Sequence, residues 1–178
     1  MPILVEEIIK QKKISRIIFL GAAFLTQSKL FISLNDDEID TLMETNIINY
    51  IRLTRLILPF MLKLKGNIIY LSSFRSNTTS RGISLYAASK AFGERFFEVI
   101  GKEYGALGVY SSSIRMGYFD GRMTTSLDDS KVKSIKLNAG NRKLGTSADL
   151  LRSIDFIIEN PYTNGGTIDL TGGINHEF

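Results

Sequence analysis

Short apolar segments alternate with longer helical segments along this chain, and this alternation limits the possible folds more than any other feature. The short segments are rich in β-branched residues, and they are 16–21, 67–72, 109–114 and 167–170. The helical segments are 36–63, 84–104 and 147–159. Because strands that alternate with helices form right-handed βαβ units, we expect an α/β fold. The prediction is a parallel sheet of about four strands with helices on both faces.

The bulk composition narrows the class of protein. A chain of 178 residues is most simply one domain, and 44% apolar residues suffice for a core. The net charge of +4 is spread along the chain, so we expect no nucleic-acid partner. The absence of cysteine fits a reducing compartment. With no basic leader and no apolar run long enough for a membrane span, a cytoplasmic protein with no membrane partner is predicted.

Three predicted loops should meet at one edge of the sheet. They follow the carboxyl ends of strands at 21–23, 72–73 and 115–117. Ligands of parallel α/β sheets bind beyond this edge, so we expect a cleft there. The polar segment 118–141 is expected to form a flap, or a small helical excursion, over that cleft.

Tyr86 and Lys90 are four residues apart in the predicted helix 84–104 and therefore share one face. A nearby ammonium favours the phenolate, so such a tyrosine could transfer a proton near neutral pH. The spacing alone is weak evidence, because seven tyrosines in a lysine-containing chain often produce it by chance. Two further residues strengthen the interpretation of Tyr86 and Lys90 as a catalytic pair. Ser73 stands thirteen residues earlier at a strand end, and Asn46 lies in mid-helix, where asparagine is a poor helix former.

Taken together, Asn46, Leu71-Ser-Ser73 and Tyr86-Ala-Ala-Ser-Lys90 resemble the short-chain dehydrogenase/reductase family. Further similar segments follow in the family's order at 114–117, 142–146 and 165–173. The resemblance covers nearly the whole chain, from about Ile14 onward. It implies a Rossmann-like sheet and an oxidoreductase that acts on a carbonyl/alcohol pair of a small-molecule substrate.

The resemblance also implies roles for individual residues. Tyr86 would be the general acid/base, and Ser73 would hydrogen-bond the same substrate oxygen. Lys90 would lower the pKa of the tyrosine and hold the nicotinamide ribose. Asn46 would support a water that links Lys90 to solvent. Hydride would be exchanged with NAD or NADP, since no protein side chain can carry it.

Further residues would contact this cofactor according to the resemblance. The backbone from Gly117 to Phe119 would meet the nicotinamide carboxamide. Gly21, Ala22 and Ala23 would lie beside the adenosine.

Each of these residues also has a plainer interpretation. Tyr86 could be a half-buried helix aromatic, and Asn46 a surface polar residue. Ser73 could satisfy backbone at a strand end, with Ser72 as an alternative hydroxyl. Gly117 could mark a turn only. Gly172 and Gly173 could be structural glycines, and His176 could be an inert tail residue. The aromatic residues Phe92, Phe96 and Phe97 could belong to the core or to a subunit contact.

The family's usual first strand, glycine-rich turn and helix find no match here, so the resemblance is to an N-terminally shortened member with a truncated sheet. Met116 replaces a usual proline, and Gly121 stands where a threonine is frequent. The strand near 17–20 would become an unpaired edge. A longer natural form, or a second polypeptide or copy of this chain that covers the edge, would resolve this; the third expectation is a shortened relative that has lost redox activity. A homo-oligomer through helices 36–63 and 84–104 is expected separately. The alternative to an enzyme is a non-catalytic interaction subunit or a degenerate remnant.

Overall fold

A computed structural model of the protein describes residues 17–21, 23, 28–121, 124 and 127–174. Within these ranges the chain forms one sheet of four parallel strands in the order β1-β2-β3-β4. The elements are β1 (Ile17–Leu20), α1 (Asp36–Met43), α2 (Asn49–Leu64), β2 (Asn67–Ser73), α3 (Ser84–Tyr104), β3 (Tyr110–Met116), α4 (Asp129–Asn138), α5 (Ser147–Glu159) and β4 (Thr167–Leu170). The predicted α/β fold with a parallel four-stranded sheet is confirmed.

Strand β2 shows why the sheet needs helices on both faces. Ile68 and Tyr70 point to one face, where they pack in a core with residues of α2 and α3 such as Met61 and Phe97. Ile69 points to the other face and packs with residues of α5. Because successive side chains of a strand alternate between faces, a strand that is apolar at every position is buried from both sides.

The helix predicted over 36–63 is present, but a π-helical turn interrupts its α-helical pattern. Helix α1 ends at Met43 and α2 begins at Asn49, with a π-helical turn, Glu44–Ile48, between them. A π turn adds one residue to the helix repeat and is frequent at functional sites. Asn46 lies in the middle of this turn, which explains how the helix accommodates a buried asparagine.

Two helix starts follow from their capping residues. The Asn35 side chain accepts a hydrogen bond from the Glu38 amide, and the Asn35 amide donates to the Glu38 carboxylate. This capping box starts α1 at Asp36. Thr146 and Asp149 form the same arrangement at the start of α5. Helices α3 and α5 have the bounds predicted from the sequence.

Segment 118–141 contains helix α4 and closes one side of the sheet edge. Ile135 and Ala139 of this segment pack against Phe74, which follows β2. Its motion as a flap stays a prediction. Among the described helices, none has the length and apolar character needed to cross a bilayer. His176 lies outside the described residues.

Candidate functional site

A cavity of about 410 Å³ opens at the carboxyl ends of β1, β2 and β3. The described residues that line it include Gly21, Ala23, Ser72, Ser73, Phe74, Arg75, Tyr86, Lys90, Gly117, Tyr118 and Phe119. The three predicted loops therefore do converge on one cleft. Ala22 lies outside the described residues.

The side chains of Ser73 and Tyr86 both line this cavity, and the Ser73 hydroxyl acts on the phenol as a hydrogen-bonding group that lowers its pKa. Ser73 is the last residue of β2, and Tyr86 lies in the first turn of α3. The Ser73 Oγ also accepts the amide of Arg75 at 3.3 Å, which leaves its proton for the phenol oxygen. The alternative hydroxyl, Ser72, is buried and has no hydrogen-bond partner among the described residues.

The pKa of Tyr86 is raised above its ordinary value because the side chain is only 7% exposed. The hydrogen bond from Ser73 and the positive charge of Arg75 lower it in part. This corrects the expectation that Lys90 lowers the pKa of Tyr86, since burial outweighs the effects of Ser73 and Arg75. The phenol consequently keeps its proton at neutral pH and can donate it.

Lys90 lies one turn after Tyr86 on α3 and is 2% exposed. Its Nζ donates a hydrogen bond of 2.9 Å to the carbonyl oxygen of Leu71 and lies 5.1 Å from the centre of the Tyr70 ring. Burial lowers the pKa of Lys90 to about 8, while the carboxylate of Glu94 raises it in part. The ammonium is thus held at the cavity wall in a fixed direction.

Asn46 does not line the cavity but contacts the helix that does. Its Nδ2 donates a hydrogen bond of 3.0 Å to the Oγ of Ser89, the residue before Lys90. Asn46 is 0% exposed, so its interpretation as a surface residue was wrong. The expected water between Asn46 and Lys90 stays a prediction.

Gly117 and Phe119 border the cavity as expected, and packing explains the glycine. A Cβ at position 117 would lie 2.8 Å from the Thr171 backbone, closer than real side chains approach. The Gly117 amide donates to the Leu170 carbonyl oxygen at 3.0 Å, which holds this loop against β4. Phe119 forms an isolated parallel bridge with Gly145. The contacts that both would make with a cofactor stay predictions.

Two charged features in and near the site were not predicted from the sequence. The first is Arg75, which lines the cavity two residues after Ser73. The second is an ion-pair cluster in which Arg115 of β3 binds Glu94 of α3 at 2.8 Å and Asp169 of β4 at 2.6 Å. A charged residue inside an otherwise buried strand was the available signal for the second, because such a residue requires a partner.

The chain is similar in sequence to known proteins. The family model described as short chain dehydrogenase matches residues 2–132. Among curated proteins, the chain is 29% identical over 160 residues to nodulation protein G of Rhizobium sp. (strain N33). It is 28% identical over 160 residues to the 3-oxoacyl-[acyl-carrier-protein] reductase FabG of Haemophilus influenzae. These matches include 88% of this chain but only 65% and 66% of the two relatives, so the chain spans just under two thirds of their length.

Solved structures show the same fold. ElxO with NADP bound superposes with a TM-score of 0.86 at 20% identity, covering 96% of this chain and 71% of that one. A 4-hydroxyisoleucine dehydrogenase complexed with NADH gives a TM-score of 0.81 at 19% identity, covering 96% and 73%. At such identities the likeness is one of fold.

Proposed function

Because this chain belongs to the short chain dehydrogenase family, we propose that it is an oxidoreductase that exchanges hydride between NAD or NADP and a carbonyl/alcohol pair. One observation carries the proposal. Ser73, Tyr86 and Lys90 line one cavity of about 410 Å³, where the Ser73 hydroxyl lowers the pKa of the Tyr86 phenol. Two hydroxyls beside a fixed ammonium are suited to bind one substrate oxygen and to change its protonation.

In the proposed reaction Tyr86 donates its proton to a carbonyl oxygen, or accepts the proton of an alcohol in the reverse direction. The Ser73 hydroxyl donates a hydrogen bond to the same oxygen as negative charge develops on it. The Lys90 ammonium favours the phenolate that remains on Tyr86 after it has donated its proton. The nicotinamide, when bound, would supply or accept the hydride.

The part of the cavity near β1 would receive the adenosine side of such a cofactor. Gly21 and Ala23 are exposed there, and residues this small leave room for it. Lys90 would hold the nicotinamide ribose, and the backbone at Gly117 and Phe119 the carboxamide. The described residues contain no glycine-rich turn for the pyrophosphate. We propose that tight binding requires a further nucleotide-binding segment, and that the protein works in the cytoplasm.

Reduced-nicotinamide fluorescence tests the proposal. NADH and NADPH are titrated against the purified chain, and against the longest polypeptide encoded in the same reading frame. Binding to at least one form, followed by oxidation of the cofactor with a panel of ketones and aldehydes, is expected. The matched Tyr86→Phe variant should bind the cofactor equally well and lose turnover. No binding to either form would sink the proposal.

We propose further that two copies of the chain associate through α2 and α3. These helices border an apolar groove of about 420 Å³ lined by residues such as Leu58, Phe96 and Tyr104. Other apolar side chains of the same two helices are exposed, among them Leu56 at 38% and Val99 at 44%. An exposed apolar face on two neighbouring helices is typical of a subunit contact.

Sedimentation equilibrium tests the association. A dimer or higher oligomer is expected for the wild type, and Val99→Glu should shift it toward monomer. Leu151→Glu on α5, where Leu151 is 59% exposed, is the matched control and should leave the mass unchanged. Self-association without cofactor binding in any form would favour the alternative, a non-catalytic interaction subunit. A monomeric wild type would contradict both the proposed association and this alternative.

A further inference from the structure

The cavity that holds Ser73 and Tyr86 has a one-sided charge. Its described lining residues include two cations, Arg75 and Lys90, and no aspartate or glutamate. Clefts lined by one sign of charge attract ligands of the opposite sign. Lys90 is 2% exposed, and its ammonium donates to the Leu71 carbonyl oxygen, whereas Arg75 is partly exposed. Arg75 is therefore the cation best placed to meet a substrate.

The position of Arg75 is fixed by contacts on two sides. Its backbone amide donates to the Ser73 Oγ at 3.3 Å, which ties it to the hydroxyl that would bind the substrate oxygen. Its guanidinium lies 5.5 Å from the centre of the Phe74 ring and donates from Nη2 to the Tyr118 hydroxyl at 3.1 Å. Tyr118 lines the same cavity. The guanidinium thus lies over one aromatic ring and beside a second one at the cavity wall.

We propose that Arg75 binds a carboxylate of the substrate, and that the substrates are oxo acids or the corresponding hydroxy acids. This inference rests on the proposed function. The planar guanidinium has five donors and matches the two oxygens of a carboxylate. Arg75 lines the same cavity as Ser73 and Tyr86, and its positive charge acts on the Tyr86 phenol. One substrate would therefore present its carbonyl oxygen to the two hydroxyls and its carboxylate to the guanidinium.

A carboxylate fits better than a phosphate dianion. A phosphate is usually held by several donors or a second cation. The other lining cation, Lys90, already donates to Leu71 and is only 2% exposed. One guanidinium and one phenol hydroxyl match a single negative charge.

A purely structural role for Arg75 makes a different prediction. If the side chain only tied the loop after β2 to Tyr118, its loss would weaken the binding of charged and neutral ligands alike. If it binds a carboxylate, its loss would weaken the binding of acids and leave neutral analogues unchanged. Matched acids and methyl esters therefore separate the two roles.

The test uses 2-oxobutanoate, acetoacetate and 4-oxopentanoate, each beside its methyl ester. Binding is measured by ligand-observed NMR with the wild type, Arg75→Gln, Arg75→Lys and the control Arg152→Gln. Arg152→Gln makes the same change of charge as Arg75→Gln. Arg152 is exposed on α5 and does not line the cavity, so this variant serves as the control. Inorganic phosphate is added as a competitor. Reduction of each ketone with NADH and NADPH is measured separately.

At least one acid should bind more tightly than its ester. Arg75→Gln should weaken that acid about 10- to 100-fold and the ester by less than about 3-fold, because hydrogen bonds to a charged group contribute more than neutral ones. Arg75→Lys should recover part of the affinity, and Arg152→Gln should match the wild type. Three results would overturn the inference: equal binding of acids and esters, wild-type affinity of Arg75→Gln for the acids, or stronger binding of phosphate than of every acid. Carboxylate binding that depends on Arg75 without turnover in any form would contradict the oxidoreductase proposal and leave the carboxylate site standing.

Discussion

Asn46 of the π turn donates a hydrogen bond of 3.0 Å to Ser89 of α3, and both side chains are buried. Ser89 in turn donates from its hydroxyl to the carbonyl oxygen of Tyr86 at 2.7 Å. Ser89 therefore links the π turn to the helical turn that carries both Tyr86 and Lys90. The extra residue of the π turn brings the asparagine side chain inward at this point.

Breaking this link should lower stability and disturb the helical turn that carries Tyr86. Asn46→Ala removes a buried hydrogen bond and leaves a small cavity, so we expect a loss of about 1–3 kcal/mol in the free energy of unfolding. Urea denaturation of Asn46→Ala, Ser89→Ala and the double variant measures the coupling, which should be about 1 kcal/mol. Asn138→Ala, on the exposed end of α4, is the control and should change stability by less than about 0.5 kcal/mol. Additive single effects would show that the two side chains do not act together.

Local spacing made much of the cavity predictable from the sequence. Tyr86 and Lys90 share a helix face because they are four residues apart, and Ser73 reaches the same edge because a parallel strand ends there. The bounds of α3 followed from its apolar period and the glycine at its end. In these cases one element and its end determine where the side chain lies.

Features that depend on packing between distant segments were not predictable in this way. Arg115 meets Glu94 across 21 residues of sequence and Asp169 across 54, which no local pattern indicates. The pKa of Tyr86 depends on how deeply the phenol is buried, and this burial reverses the effect expected from a nearby cation. The π turn was missed because helix periodicity does not reveal a single added residue.

The raised pKa of Tyr86 predicts the pH dependence of the proposed reaction. Carbonyl reduction needs the protonated phenol, so its rate should stay high through neutral pH and fall only at alkaline pH. Alcohol oxidation needs the phenolate and should rise over the same alkaline range. Ser73→Ala removes a hydrogen bond that lowers this pKa, so both inflections should move to higher pH. Rates measured from neutral pH to well above the ordinary phenol pKa of about 10, as far as the protein stays folded, check the shift.

Tyr86→Phe is the companion variant, and it should lose on the order of 10²- to 10⁴-fold in turnover with its alkaline inflection abolished. Urea denaturation confirms that both variants are folded. An inflection that stays in place in Ser73→Ala would show that its hydroxyl does not influence the phenol. A Tyr86→Phe variant with wild-type turnover would remove Tyr86 from the mechanism.

Burial of Lys90 should appear in the stability of the protein as a function of pH. Its pKa is lowered to about 8 in the folded state, against 10.5 for an ordinary lysine. Below pH 8 Lys90 is protonated in both the folded and the unfolded state, so burial of the ammonium lowers the free energy of unfolding by its full amount. Between pH 8 and 10.5 the unfolded state binds more protons than the folded state, so stability should rise with pH. The difference corresponds to about 3 kcal/mol.

Lys90→Met isolates this contribution, because the methionine does not titrate. The wild type should gain up to about 3 kcal/mol relative to Lys90→Met between pH 7 and pH 10.5, as measured by urea denaturation at each pH. Lys102→Met, at an exposed position of the same helix, should run parallel to the wild type. A constant difference between wild type and Lys90→Met across this range would mean that Lys90 titrates as an ordinary lysine.

The cluster of Glu94, Arg115 and Asp169 should matter more for stability than the surface ion pairs do. The Arg115 and Glu94 side chains are 15% and 13% exposed, and Glu94 also accepts a hydrogen bond from Ser76 at 2.5 Å. Arg115→Met leaves a largely buried carboxylate without its cation, so we expect a loss of about 2–4 kcal/mol in the free energy of unfolding. Adding Glu94→Gln should restore part of this loss, because the stranded charge is then gone. Arg95→Met breaks an ion pair on the same helix whose side chains are 75% and 47% exposed, and should cost less than about 1 kcal/mol. If Arg115→Met and Arg95→Met lowered stability equally in urea denaturation, the cluster would contribute no more than an exposed pair.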